Sequence, residues 1–220
     1  SVVPDAEDTM NWEQAAAGYA GVWASENSRE AIFDAMRRGE VFASTGPRIR
    51  VQFFGGFRFT DVDARSSDPG RAGRVKGVPM GADLPTRIAT REGEAPSFLI
   101  LATKDPVGAN LQRAQVVKGW VDDGGVAREL VFDAIVAEDA VQGLTELATI
   151  WRDEEFDPTQ LAFYYLRVLE VPTPRWNAID AARYGKSLAG MRVSHQERAY
   201  TSPIWFTPAE AQDSATPASD

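Results

Sequence analysis

The chain has 220 residues, 44% hydrophobic and 25% charged, with a formal net charge of −9 from 23 basic and 32 acidic side chains. This length suffices for one large domain or two small ones with a buried core, while the acidity argues against nucleic acid or an anionic membrane surface as the main partner, since both need a positive field. Cysteine is absent, which excludes disulfides, zinc thiolates and thiol nucleophiles, and no apolar run approaches the roughly 18 residues of a membrane span.

Residues 1–20 read as a lead-in segment. Ser1-Val2-Val3-Pro4 lacks the basic start and apolar stretch of a signal peptide, and there is no initiator Met, so a trimmed, processed or fragmentary product is expected. Trp12, Tyr19, Val22 and Trp23 gather apolar groups without helical period and need a surface to pack on. A helix is predicted next: Asn27 caps it and Glu30 completes a capping box. Ile32, Phe33 and Met36 share one face, Arg37 and Arg38 suit the last turn, and Gly39 supplies the left-handed stop. The period then changes to two. Val41-Phe42-Ala43 reads as a short strand and Thr45-Gly46-Pro47 as a turn, after which Ile49, Val51 and Phe53 alternate with Arg48, Arg50 and Gln52 as a half-buried strand. Residues 21–46 thus read as a helix leading through a strand into a turn, ahead of a β domain expected over 47–206.

Residues 61–96 are rich in loop formers, with another strand expected near Thr86-Arg87-Ile88-Ala89. Ser97 to Thr103 is apolar on both alternating faces, as a strand covered on both sides requires. Gln115 to Val121 and Arg128 to Ala137 form a hairpin around Asp122-Asp123-Gly124-Gly125, residues that accept positive φ. Residues 122–157 hold eleven Asp or Glu against two Arg, a solvated acidic face that leaves 138–158 open between helix and loop. Leu161 to Leu169 reads as a strand, and 177–190 is expected to hold one short helix. Arg198 to Phe206 is a last strand, placed at an edge because Pro203 interrupts it. Residues 207–220 have the composition of a disordered tail. The fold class is mainly β (α+β): an antiparallel β-sandwich preceded by one capped helix, with irregular loops.

Few constellations carry chemistry. Asp61-x-Asp63 with Asp68 starts like a calcium loop, but Arg65, Ser66 and Ala72 occupy positions that need a ligand, a glycine and a glutamate. The glycine-rich run 70–81 fits neither phosphate-loop pattern and reads as a flexible connector. Asp153-Glu154-Glu155-x-Asp157 offers carboxylates to a hard cation, although adjacent carboxylates on a solvated turn are the commoner case. His195 is the only histidine, too few for a histidine-rich metal site. His195 with Glu197, and Arg48, are the candidate catalytic residues. Six tryptophans invite a sugar-stacking reading, yet Trp120 and Trp205 lie in strand patterns where core packing is the default.

The segments GVWASENSREAIFDAMRRGEVFASTGPRIRVQFFGGF, GVPMGADL, ATKDPVGANLQRAQVVKGWVD, FDPTQLAFYYLRVLEVPTPRW and QERAYTSPIWFTP, in this order over residues 18–208, resemble the C-terminal part of the domain-of-unknown-function 3604 family. That family is similar to the polymerase-and-histidinol-phosphatase (PHP) metallohydrolases, in which a histidine-rich barrel binds metals and a β-rich region follows. The resemblance implies that the helix and STGPR segment mark the junction after such a barrel, whose H-x-H ligands have no counterpart here. A divalent metal is then expected in a missing N-terminal part, with no cofactor or metal ligand in this chain.

The function implied is an accessory, structural portion of a metal-dependent (phospho)esterase-like hydrolase without a complete active site of its own. Its expected partner is the N-terminal catalytic barrel, on the same precursor or a separate chain. The alternative is a self-contained β-sandwich binding module for carbohydrate or protein. A third reading makes the chain an enzyme using His195 with Glu197. A soluble bacterial protein is expected, with the compartment open between cytoplasm and periplasm.

Overall fold

A computed structural model describes residues 18–86, 95–122 and 124–208. Trp12, the strand expected at Thr86 to Ala89 beyond Thr86 itself, and the tail from residue 209 lie outside these residues. Two antiparallel sheets pack face to face, and short helices cover the outer face of the smaller one. The large sheet contains Tyr19–Val22 (β1), Val41–Ser44 (β2), Leu111–Val121 (β6), Ala127–Val136 (β7), Ala162–Glu170 (β9), Arg198–Thr201 (β12) and Ile204–Phe206 (β13). Its order is β1-β2-β12-β9-β6-β7, with β13 also on β9. The small sheet contains Arg50–Gly56 (β3), Val78–Pro79 (β4), Ser97–Thr103 (β5) and Glu146–Arg152 (β8), in the order β4-β3-β5-β8. A two-stranded ladder of Thr173–Pro174 (β10) and Ser194–His195 (β11) stands apart.

Alternation explains the core. Ile49, Val51, Phe53, Phe98, Ile100 and Leu147 from the small sheet meet Ala114, Val116, Tyr164, Leu166, Val168 and Ile204 from the large one, all buried. Phe98 stacks on Phe53 at 5.2 Å and reaches across to Tyr164 at 4.6 Å. Each such large side chain contributes about 1.5–3 kcal/mol by burial. On the other face of the small sheet, Phe54 and Leu99 pack with Phe59 and Ala64 in a second apolar cluster. Ser97 to Thr103 is therefore covered on both sides, as its unbroken apolar run predicts.

The predicted helix is present as Arg29–Arg37 (α1), but Ser28 caps it by accepting from the Ala31 N–H at 3.3 Å. With the cap one residue later than Asn27, Glu30 falls at the second helical position and no capping box closes. Only Ala35 is fully buried; Phe33 and Met36 are each 58% exposed, so the expected apolar face is left largely open. Gly39 does end the helix, with φ of 70°. It sits against Gly81, whose φ is 87°: a Cβ on Gly39 would lie 2.8 Å from the Gly81 Cα, and one on Gly81 would collide with the Arg38 and Gly39 backbone. Glu40, next in sequence, is buried and bonded to Arg38 at 2.9 Å and Arg74 at 2.8 Å.

The stretch 61–81 is not the loop and flexible connector that its composition suggests. Asp61–Ala64 (α2) and Pro69–Lys76 (α3) are helices. Thr60 and Asp63 form a capping box, while Asp68 caps α3 ahead of Pro69, whose missing N–H costs nothing at the first position. Asp63 is spent on Thr60 and on Lys76 at 2.6 Å, so it is no calcium ligand. Gly73 has no Cβ to hold α3 away from the Phe54 ring.

Elsewhere, β8 supplies a strand within the ambiguous acidic stretch, where flanking carboxylates hid the alternation of Leu147 and Trp151. The hairpin turn is built on Asp122, whose carboxylate accepts from the Gly124 and Val126 N–H groups. Ion pairs from the acidic stretch run to Arg113, Lys118 and Arg128. The last strand is not at an edge. Its first half, β12, lies between β2 and β9, and Pro203 falls in the break before β13, outside the ladders. The short helix expected within 177–190 is present as Trp176–Tyr184 (α4), which ends at Gly185 with φ of 61°.

Candidate functional site

Pairing of β2 with β12 brings the STGPR and QER segments together at one rim of the large sheet. The Thr45 N–H donates to the Arg198 carbonyl at 3.0 Å, and the Arg198 N–H donates to the Thr45 hydroxyl oxygen at 3.0 Å. The Thr45 hydroxyl donates in turn to the Glu197 carboxylate in a short contact. The β10–β11 ladder, pairing Thr173 with His195, sets Arg175 beside the same place. The result is an open cleft of about 400 Å³ lined by Thr45, Arg175, His195, Glu197, Arg198 and Tyr200, among others.

Glu197 is the hub. Its Oε1 lies 3.1 Å from His195 Nε2, which is also 3.4 Å from the Thr173 hydroxyl. A nucleophilic triad needs the hydroxyl to donate to the imidazole and the imidazole to the carboxylate. Here the carboxylate stands between the other two, so it withholds the Thr45 proton instead of relaying it. The order of the three groups is therefore not that of a nucleophilic triad. Arg198 donates from Nε to the Gln196 carbonyl at 3.3 Å and from a terminal nitrogen to the Tyr200 hydroxyl at 3.4 Å.

The third sequence candidate, Arg48, does not line this cleft. Its backbone N–H donates to Asp105 at 2.7 Å and its Nε lies 3.5 Å from the same oxygen, so it anchors the loop after β5. The Arg48 N–H, then that of Val107, hold the Asp105 carboxyl below its ordinary range. Behind the cleft is Glu170, which sequence reasoning missed because it closes an apolar strand and reads as a boundary. It is 2% exposed, and its Oε1 has no hydrogen-bond partner. Burial pushes its carboxyl up to about 7 against the pull of the Ala109 N–H, and the charges of Glu197 and Asp105 add to the rise.

Among the described residues no group of three or more His, Cys, Asp or Glu is placed to hold an ion. In the acidic run, Asp153 is committed to Lys118 at 2.6 Å and to the Tyr164 hydroxyl at 2.6 Å, and Asp157 accepts from Thr159 at 2.8 Å. Trp205, expected in the core, is 47% exposed, whereas Trp120 is partly buried against the core as its strand pattern predicts. Trp205 begins a row of rings on the outer face of the large sheet. It lies 5.3 Å from Phe163, which is 6.4 Å from Tyr165, itself 6.5 Å from Tyr200. No helix among the described residues is long and apolar enough to cross a membrane.

Neither a curated protein nor a solved structure matches the chain. The profile of one family, described as a protein of unknown function (DUF3604), matches residues 2–143 and 138–208, so the two segments meeting at the cleft both lie within its span. On that match, the chain belongs to the DUF3604 family.

Proposed function

We propose that this chain is the accessory, C-terminal portion of a metal-dependent hydrolase acting on a phosphoester or related ester, and that the cleft rim faces a PHP-like catalytic barrel on the same precursor or a separate chain. The observation that carries this reading is the set of exposed apolar side chains around a charged, open cleft. Tyr19, opposite Ser44 in the ladder, is 60% exposed, Trp176 next to Arg175 is 57% exposed, and Val193 near His195 is 47% exposed. Apolar groups around a polar opening suit burial against another protein surface. Gly18, the first described residue, also lies at this rim, close to the Ser44 carbonyl. In this reading the barrel's own histidines hold a divalent metal, which polarises the ester.

The test is co-expression with the polypeptide encoded immediately upstream. A complex containing a histidine-rich chain, with manganese-dependent cleavage of bis(4-nitrophenyl) phosphate that Tyr19→Asp weakens, is expected. An upstream region without an H-x-H segment, together with a chain that purifies alone, would sink the reading.

The aromatic row favours a second reading, a binding module for carbohydrate or protein, because ring faces stack on sugars. The row ends in a pocket of about 450 Å³ lined by Trp120, Leu161, Phe163 and Trp205, among others. Saturable quenching of tryptophan fluorescence by a glycan, abolished by Trp205→Ala, would support it over the first.

A further inference from the structure

We propose that the cleft is an oxyanion site that takes a phosphate-type dianion between the guanidinium groups of Arg175 and Arg198. Both arginines line it, both are only half-buried, and neither makes an ion pair among the described residues. Their situation differs from that of Arg38, Arg48, Arg74 and Arg128, each of which has a carboxylate within 3.5 Å. Among the described residues that line the cleft, the one carboxylate, Glu197, is already engaged by Thr45 and His195. Two guanidinium groups therefore face one carboxylate in the lining. A net positive cleft on a chain of net charge −9 is a local reversal of field, which concentrates anions at that spot.

The donors present favour phosphate over a carboxylate. Guanidinium groups offer paired N–H donors in a planar fork that matches two oxygens at once. The Tyr200 hydroxyl accepts from Arg198, which leaves its own proton free to donate to a ligand. Arg198 already gives Nε to Gln196 and one terminal nitrogen to Tyr200; its other terminal nitrogen, the Arg175 fork and the Tyr200 hydroxyl still supply more donors than the two oxygens of a carboxylate use, whereas a phosphate monoester presents three terminal oxygens. This inference rests on the accessory-portion reading for the ligand's role, since a phosphate group held here would lie at the surface assigned to the barrel, but binding itself is testable on this chain.

Inorganic phosphate, phenyl phosphate and acetate are titrated calorimetrically into the full chain at low salt. Saturable binding of both phosphates is expected, weakened at least tenfold by Arg175→Ala and by Arg198→Ala. Arg198→Lys, which keeps the charge but loses the fork, should also weaken it. Arg71→Ala, a change on α3 away from the cleft, should leave it unaltered. Melting curves confirm that each variant is folded. No saturation below about 10 mM phosphate, acetate binding as tightly as phosphate, or affinity indifferent to both arginine changes would overturn the proposal. The accessory-portion reading stands or falls separately on the complex with the upstream chain.

Discussion

Two networks of charged side chains in this molecule use similar parts to opposite ends. On the inner face of the large sheet, Lys118 and Asp153 pair at 2.6 Å with both side chains less than 10% exposed. Lys118 Nζ also donates to the Glu155 carbonyl at 2.9 Å, and the Tyr164 hydroxyl donates to Asp153. Asp153 Oδ1 accepts from the Glu155 N–H at 3.2 Å. At the rim, Glu197, His195 and Thr45 satisfy one another while two arginines have no carboxylate partner among the described residues. The enclosed network is complete because an unmet charge in the interior costs several kcal/mol. The rim network tolerates incompleteness because water serves its free donors, which makes it the place where a ligand can be the missing partner.

The contrast can be broken most forcefully at Asp153. Asp153→Ala leaves Lys118 buried and unpaired, and a loss of about 3–5 kcal/mol is expected, seen as a fall in Tm of about 10 °C for a chain of this size. Replacing both partners, Lys118→Met with Asp153→Leu, should recover most of that loss. A double variant as unstable as the single one would show that the network does more than satisfy itself.

Glu170 lies between the two cases, buried yet unsatisfied, and its effect runs with pH. The unfolded carboxyl ionises near 4.5 and the folded one near 7, so between these values the folded state holds the extra proton and stability falls as pH rises. The penalty develops up to and through pH 7, is complete well above it, and amounts to about 3 kcal/mol. Glu170→Gln should raise Tm at pH 8 and leave it unchanged at pH 4. The opposite limb belongs to groups such as Glu40. Its burial favours the neutral form, but hydrogen bonds from Arg74 and Arg38 and their charges outweigh that and hold its pKa below the ordinary value. Its contribution is present above about pH 4.5 and is lost as pH falls further, so the wild-type melting maximum is expected between the two limbs.

Smaller effects sharpen the rim side. Glu197→Gln keeps the Thr45 contact and weakens the one to His195, with an expected cost of about 1 kcal/mol. Arg175→Ala should change stability by no more than about 0.5 kcal/mol, checked by urea denaturation. A cost above about 2 kcal/mol would mean that Arg175 already has a structural partner.

Much of this fold is legible in the chain because its signals are local. The 97–103 strand, the Asp122 to Gly125 hairpin and the Gly39 stop follow from alternation, turn chemistry and left-handed φ. The helices at 61–76 were hidden by glycines that composition associates with loops but that packing against Phe54 requires. The Asn27 cap failed because Ser28 offered an equal acceptor one residue on. At the site, His195 and Glu197 do meet, since two residues on one extended segment share a side. Thr45 lies 152 residues from Glu197, and Arg175 reaches the cleft through a separate ladder, so no local pattern announced them.

The interlocked glycines at 39 and 81 have a mechanical consequence. Backbone rests on backbone there, with Glu40 held by two arginines beside it, which narrows the room for bending at the C-terminal end of α1. A load applied to the exposed Phe33 and Met36 is then expected to reach the sheets through this contact. Substituting either glycine should loosen the contact before it unfolds the sandwich.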